Sequence, residues 1–260
     1  MVGATLRRTV LFLGLPVTLV LIWWFASAGS TDFTSPPLKT IVDVFPETWL
    51  QGRIGRDVVP SLTRLAVGYS VALVAGVALG VVIGSNKVLR GVLEPVLEFL
   101  RAIPPAVLVP VLILIVGIGD EMKILVIVSG CVWPILLNTV EGVRGSDEVL
   151  GDTCRSYRIG GPLRLRTFVL RSASPQIMTG ARQALSIGLI LMVISELKAA
   201  SDGIGYTITQ FRQGFQYAEM WSGVIVLGVL GVVLALLFRL VERRVLNWYF
   251  GIRAAERGPR

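Results

Sequence analysis

Long apolar runs alternate with short polar stretches along this chain of 260 residues. A run of about 20 predominantly apolar residues is long enough to cross the hydrocarbon core of a bilayer as a helix. The pattern therefore predicts an all-α integral membrane protein with about six membrane-spanning helices. The predicted spans cover residues 10–28, 60–84, 91–116, 122–140, 181–200 and 221–241.

The spans divide the chain into four parts. We expect an N-terminal span in residues 1–28 and an outer connector with interfacial helices in residues 29–59. Residues 60–246 form a core with five further spans, and residues 247–260 form a basic tail. Most lysines and arginines fall in segments that this arrangement places on one side, a bias that marks the cytoplasmic side. Both chain ends are therefore predicted to be cytoplasmic.

The first apolar run allows two interpretations. It follows Arg7 and Arg8 and ends in the small residues Ala-Ser-Ala, as the apolar segment of a secretory signal peptide does. Its length and its pair of tryptophans, Trp23 and Trp24, favour a retained span, because tryptophan rings suit the membrane interface.

The second span carries a row of glycines on one helix face. Gly68, Gly76, Gly80 and Gly84 recur at spacings of four or eight residues. Small residues at such spacings let helices approach closely in lipid. The row is therefore interpreted as a packing surface in preference to the wall of a permeation path.

Prolines interrupt the third span. Pro95, Pro104, Pro105 and Pro110 each lack a backbone donor, and a proline inside a helix bends or breaks it. Backbone carbonyls freed at membrane depth are tolerated only where protein or a watery cavity surrounds them.

Charged residues accompany this broken span. Glu94, Glu98 and Arg101 lie at helical spacing near its start. Two interpretations are open. The charges form an ion pair at the cytoplasmic entrance of the helix, or Arg101 and the turn with Pro104 and Pro105 lie beside a translocation path.

Three polar residues in later spans are further candidates for a path or gate. Asn138 lies near the end of the fourth span, where it either bonds a neighbouring helix or lines the path. Glu196 and Lys198 lie near the outer end of the fifth span. Ionisable residues inside a membrane indicate function, whereas near the interface they pair or extend towards water. Both interpretations are kept.

A basic interval, residues 141–180, separates the fourth and fifth spans. Apolar residues recur within it at helical spacing, so it is not a floppy loop. We predict short amphipathic helices that are broken at Gly160-Gly161-Pro162, lie on the cytoplasmic side and are able to meet a partner. Its arginines are Arg144, Arg155, Arg158, Arg164, Arg166 and Arg171.

Composition supports a membrane protein and excludes several functions. Hydrophobic residues make up 53% of the chain and charged residues 16%, with a mean hydropathy of +0.73. The net charge of +8 is attributed to residues that flank the spans, in preference to nucleic-acid binding. The chain has no histidine, and its two cysteines lack metal-site or disulfide spacing. No phosphate-binding GxxxxGK[ST] loop occurs, so any nucleotide must bind to another chain.

Several stretches carry a resemblance over about residues 36 to 240. The most specific are the RAIPP turn that begins at Arg101 and the GIGDEMKI turn that begins at Gly117; PILLNTVEGVRG and SELKAASDGIGYTI follow. With these motifs the chain resembles type I ABC importer permeases of the taurine, alkanesulfonate, nitrate and bicarbonate branch.

The resemblance implies a coupling helix, built on an EAA-type motif, in the loop after the fourth span. Carried over to this chain, the motif falls on Asp152, Thr153, Cys154, Arg158 and the pair Leu170-Arg171. The implied ATPase-coupling residues are Asp152, Thr153, Cys154, Arg155, Arg158, Gly160 and Gly161.

This chain departs from the family pattern in that motif. Asp152 stands in place of Glu, Thr-Cys in place of Ala-Ala, Arg158 in place of Gly and Arg171 in place of Pro. The first helix is still expected to stop at Gly160-Gly161. The departures are explained either by a co-adapted ATPase, which is favoured, or by a role as one half of an asymmetric permease pair.

The resemblance also implies the partners and the cargo. It implies a second permease copy (a homodimer is favoured over a heterodimer), two nucleotide-binding ATPase subunits and an extracytoplasmic substrate-binding protein. This chain then has no cofactor and is not an enzyme, while ATP and Mg bind to the ATPase. The implied substrate is a small organic or inorganic anion such as a sulfonate, attracted by Arg101, Lys198 or Arg212. The alternative functions are a self-contained ion-coupled carrier or channel, and a membrane enzyme or structural subunit.

Overall fold

The computed structural model of the chain describes residues 2–198, 200–249 and 251. Most of the predicted tail, residues 247–260, lies outside these ranges. Every regular element within them is a helix. The α-helices are α1 Val2–Ser27, α2 Leu38–Phe45, α3 Val59–Ser85, α4 Lys87–Arg101, α5 Leu108–Val116, α6 Asp120–Arg144, α7 Glu148–Ser156, α8 Gly161–Arg164, α9 Leu170–Lys198, α10 Ile204–Gln213 and α11 Tyr217–Val245. One 3-10 turn, Pro105–Val107, and three π-helical turns, Pro46–Leu50, Ile54–Val58 and Leu165–Val169, join or extend them.

Four continuous helical segments in the described ranges are long and apolar enough to cross a membrane. They are Ile54–Ser85, Asp120–Arg144, Gly161–Lys198 and Tyr217–Val245. The pair Lys87–Arg101 and Pro105–Val116 makes a fifth span if the two are counted together, since they are bent by 64°. The predicted first span falls on α1. The apolar stretch Gly14–Ser27 within this helix is shorter than the other spans. The all-α membrane fold is confirmed.

The core forms around α6, which packs between α3 and α9. Its buried face supplies Met122, Ile127 and Cys131, and these meet Leu65 of α3 and Met192 of α9. A membrane provides little hydrophobic drive between helices, so close fit and buried polar bonds must hold such a layer together.

The predicted glycine row provides that close fit. A Cβ atom on Gly80 would lie 2.5 Å from Cβ of Thr139 and 2.9 Å from the carbonyl oxygen of Leu136. One on Gly68 would lie 2.8 Å from Cγ2 of Ile127. The row therefore faces α6, and the backbones of the two helices are in contact there. The packing interpretation is confirmed.

Helix α4 covers one end of this core without entering it. Leu89, Leu93 and Leu97 recur every fourth residue and pack against a cluster of Ile83, Leu136 and Val140. No residue of α4 is buried in the isolated chain. Its remaining faces, one apolar and one charged, are therefore open to lipid, water or another subunit.

Candidate functional site

The loop between α6 and α9 presents an exposed helix. Helix α7 begins at Asp147, whose carboxylate accepts hydrogen bonds from the amides of Val149 at 2.7 Å and Leu150 at 3.1 Å. These two bonds satisfy backbone amides that the start of a helix otherwise leaves unpaired. The side chains of Val149 and Leu150 are 73% and 52% exposed. These apolar side chains are therefore open to contact with another protein.

The predicted coupling residues lie together on this loop. Asp152 pairs with Arg155 one turn later at 2.5 Å, and both side chains are exposed. The Thr153 hydroxyl donates to the carbonyl of Val149 at 2.8 Å, and the Cys154 thiol is free. A single exposed helix thus carries the first four residues of the predicted set.

Helix α7 ends earlier than predicted. It stops at Ser156, and the amide of Ile159 donates to the carbonyl of Cys154 at 2.8 Å while that of Arg158 donates to Arg155 at 3.0 Å. These two bonds define a Schellman ending, which places its C′ residue in the left-handed region. That residue is Arg158, with φ of +53°. The expected stop at Gly160-Gly161 is therefore wrong.

The two glycines begin the next helix instead. Gly160 precedes α8 as its N-cap residue, and Gly161 has φ of +58°. The left-handed conformation of Arg158 also accounts for the glycine that the resemblance gives for this position. A left-handed conformation strains a residue that carries a Cβ, whereas glycine adopts it freely.

We expect Arg158→Gly to steady the end of α7. Removing a Cβ from a left-handed residue relieves about 1 kcal/mol of strain. The amides of residues 154–159 should then exchange with solvent about fivefold more slowly in hydrogen-exchange mass spectrometry. Arg155→Gly is the control, because glycine within helical geometry costs about 1 kcal/mol and should speed exchange. Faster exchange in Arg158→Gly would contradict the helix ending described here.

The break of the third span lies between α4 and α5. Helix α4 ends at Arg101 with Ala102 as its C-cap residue, and Pro104 is extended with ψ of 122°. Pro105 packs on α6, since a Cβ on Gly130 would lie 3.2 Å from its Cγ atom. Arg101 is exposed and pairs with Glu98. The predicted pair of Glu98 with Arg101 is present, whereas its location at the cytoplasmic entrance and a role of the turn in a path stay predictions.

Asn138 is half-buried where α6 meets α9. Its amide donates to the carbonyl of Pro134 at 2.8 Å and lies 3.5 Å from Oε1 of Gln183 on α9. A Cβ on Gly180 would lie 2.8 Å from Cβ of Asn138, so the two helices meet there at close range. The predicted bond to a neighbouring helix is observed.

At the opposite end of α9, Glu196 belongs to a buried ionic cluster. The carboxylate is 1% exposed and accepts from the Ser61 hydroxyl at 2.7 Å, from Nη1 of Arg64 at 3.1 Å and from the amide of Gly205 at 3.0 Å. It thereby joins α3, α9 and α10. Lys198, two residues further, is exposed and lies outside this cluster.

Arg64 is the centre of the cluster. Its guanidinium is 3% exposed and pairs with Asp120 of α6 at 2.7 Å, with Glu196, and with Asp202 in the segment before α10. The planar fork of an arginine suits several carboxylates at once. The sequence interpretation missed Arg64, although an arginine inside an apolar span was the signal that could have revealed it.

The same cluster caps α10. Its N-cap residue is Gly203, which has no side chain to accept the first amides. The amide of Ile204 donates instead to the Ser61 hydroxyl at 3.0 Å, and that of Gly203 to Asp57 at 3.4 Å. Carboxylates at a helix N-terminus also complement the helix dipole. The first turns of α3, α6 and α10 and the last turns of α9 are thus bound into one polar joint.

Apart from Asn138 and Lys198, the predicted site residues therefore form three groups. The coupling residues lie on the loop before α9, and Glu196 lies near the far end of α9, 26 residues or about 39 Å along that helix from its start at Leu170. The third group, Arg101, Pro104 and Pro105, lies at the α4–α5 break. Such a distribution fits a protein that transmits movement across a membrane better than one with a single compact reaction centre.

Comparison with known proteins decides the family. Residues 72–247 match the family of binding-protein-dependent transport system inner membrane components. This chain belongs to that family. The match includes the α4–α5 break, the loop between α6 and α9, and α11, so this permease carries the family architecture over most of its length.

Curated relatives place this permease in one branch. It is 32% identical to SsuC of Bacillus subtilis, named as an aliphatic sulfonates transport permease, over 90% of this chain and 86% of the relative. It is 26% identical to the taurine transport system permease protein TauC of Escherichia coli, over 94% and 91% of the two chains. It is 30% identical to the bicarbonate transport system permease protein CmpB of Synechococcus elongatus, over 88% and 86%.

Solved structures share its fold. An inward-facing structure of the MetNI methionine ABC transporter has a TM-score of 0.65 at 20% identity, covering 77% of this permease and 98% of that chain. An amino acid ABC transporter crystallised with histidines has a TM-score of 0.56 at 15% identity, covering 83% and 99%. This permease is thus a multi-pass membrane subunit of an ABC importer, and its family implies ATPase and substrate-binding protein partners.

Proposed function

We propose that this permease forms half of a translocation path that partner ATPases drive through α7. The observation that carries the proposal is the exposed, well-capped α7 at the end of the α6–α9 pair. A partner that pushes on α7 moves α6 and α9 together, because glycines bring their backbones into contact. The coupling residues are then Asp152, Thr153, Cys154, Arg155, Arg158, Gly160 and Gly161.

The substrate is proposed to be a small anion such as a sulfonate. The named relatives of this permease carry sulfonates, taurine and bicarbonate. Arg101, Lys198 and Arg212 remain the candidate attracting cations. An outer binding protein delivers the anion and contributes to selectivity.

The path itself is proposed to pass the α4–α5 break. Arg101, Pro104, Pro105 and Asn138 line or shape it, because a broken helix at membrane depth needs protein or water around it. Lys198 is proposed to stand at its outer mouth. Glu196 acts at the outer gate by anchoring α10, since its carboxylate is already fully engaged.

The assembly is proposed to contain two copies of this chain, two ATPases that bind ATP and Mg, and the binding protein. Residues 1–28 serve as a peripheral span, 29–59 as the outer connector, 60–246 as the permease core and 247–260 as a cytoplasmic tail. Both chain ends and α7 face the cytoplasm of the bacterial cell. The chain itself hydrolyses nothing and needs no cofactor.

Reconstitution tests the coupling role. The permease is purified with the ATPase and binding protein encoded beside it, and ATPase activity is measured in liposomes with and without the loaded binding protein. We expect the double substitution Asp152→Ala and Arg155→Ala to lower stimulated activity about tenfold, which corresponds to about 1.4 kcal/mol of contact energy. The cause is the loss of charged contacts on the face of α7 that meets the ATPase.

A matched ion pair provides the control. Glu141 and Arg144 have the same spacing and similar exposure, but they lie at the end of α6 outside α7. Replacing both with alanine should leave stimulated activity within about twofold. Unchanged stimulation after the α7 substitutions overturns the coupling assignment. Anion uptake by this chain alone, driven by an ion gradient, would instead establish a self-contained carrier.

A further inference from the structure

A groove of about 780 Å³ lies between α9 and α11, at the end of the membrane-spanning region that carries the α7 loop. Arg182 of α9 pairs with Glu242 of α11 within it. Arg182 and Glu242 therefore lie at the same height on the two helices. From Arg182 to Lys198, α9 spans about 25 Å. The groove is thus placed where the apolar core of a bilayer gives way to headgroups.

The lining of the groove changes from apolar to basic along α11. Ala235, Phe238 and Leu185 of α9 line one part, and Arg239, Arg243 and Asn247 line the other. Since α11 leaves the membrane in this direction, the apolar part lies deeper than the basic part. That order matches a phospholipid, whose acyl chains lie inside its charged phosphate.

The groove has an excess of positive charge, because its arginines outnumber its one acidic residue, Glu242. Of its three arginines, only Arg182 has an ion-pair partner among the residues that the structure describes. Arg239 and Arg243 are one helical turn apart, so their guanidinium groups flank the same surface. Two arginines can hold one phosphate with several charge-assisted hydrogen bonds.

The surroundings favour a lipid over a soluble anion. Next to the groove, α11 exposes Leu236, Leu237 and Leu240, which are 48%, 52% and 60% exposed. The most apolar stretch of α11 has no buried residue, as expected for a helix that faces lipid. A ligand that enters sideways from the bilayer meets the groove directly.

We propose that this groove binds an anionic phospholipid, with its phosphate at Arg239 and Arg243 and an acyl chain along Leu185 and Phe238. Basic pockets between helices on the cytoplasmic side suit such headgroups. The bound lipid bridges α9, which continues from the coupling loop, and α11. The proposal needs a membrane and the groove, and it stands whether or not α7 couples to an ATPase.

Lipid binding to the full-length permease tests the proposal. The detergent-purified protein is titrated with phosphatidylglycerol or phosphatidylcholine, and the bound lipid is counted by native mass spectrometry. We expect phosphatidylglycerol to bind at least about tenfold more tightly than phosphatidylcholine. We expect Arg243→Gln to reduce that affinity about tenfold, because one charge-assisted contact is lost. Arg244→Gln removes the neighbouring charge outside the groove and should change the affinity by less than about twofold.

A second variant leaves every charge in place. Ala235→Leu fills the apolar part of the groove and is expected to abolish selective phosphatidylglycerol binding while α11 stays helical, since leucine is a good helix former. Equal losses in Arg243→Gln and Arg244→Gln would show a diffuse basic surface and overturn the proposal. Displacement of phosphatidylglycerol by millimolar inorganic phosphate would assign the groove to soluble anions and overturn it as well.

Discussion

Arg64→Met should destabilise this permease more than any other single charge removal. The substitution leaves Glu196 buried without its cation, removes the arginine that pairs with Asp202, and leaves Asp120 with Lys123 alone. Breaking a buried ion pair from one side costs about 3–5 kcal/mol, because the remaining charge stays desolvated. The first turns of α3, α6 and α10 and the last turns of α9 would then separate.

The measurement is the midpoint of thermal unfolding in detergent, followed by size-exclusion chromatography of the heated sample. Arg144→Met is the matched control, since its pair with Glu141 is exposed and contributes about 0–1 kcal/mol.

A double variant separates charge from packing. Replacing both members of a buried pair by neutral groups is often close to neutral, so Arg64→Met with Glu196→Gln should recover part of the lost stability. Additive losses in the double variant would show that Arg64 acts through packing alone and would refute the ionic joint.

Gly80→Leu should prevent the three-helix core from forming, and Gly80→Ala should already weaken it. The alanine Cβ would overlap the branched Cβ of Thr139 and the carbonyl of Leu136, neither of which can rotate away. Overpacking of this kind costs about 1–3 kcal/mol, and leucine adds three more carbons at the same place. Helices held by close fit in lipid have little other attraction to offset the loss.

Gly228→Ala is the matched control for this glycine. Gly228 also lies within a membrane helix, but a Cβ there meets nothing within 4 Å. We expect an unchanged or slightly higher unfolding temperature, because alanine favours a helix over glycine by about 1 kcal/mol. If Gly80→Ala unfolds at the same temperature as the unaltered protein, α3 and α6 are further apart than described here.

Some parts of the candidate site could be predicted because they depend on neighbours in the chain. The amphipathic pattern of residues 141–180 indicated short exposed helices, and α7 and α8 are present there. The glycine row also required only helical periodicity. The ending of α7 was predicted wrongly because glycine content suggested Gly160-Gly161, whereas the hydrogen bonds place the left-handed residue at Arg158.

The sequence by itself determined the all-α membrane fold, the broken third span, the basic loop and the family, because span formation and motifs depend on local apolarity and spacing. Only the tertiary structure revealed the polar joint, in which Arg64 meets Glu196 across 132 residues of chain. It alone brought Arg182, Arg239 and Arg243 to one groove. A buried charge is tolerated only beside its partners, and which partners these are depends on how the helices pack.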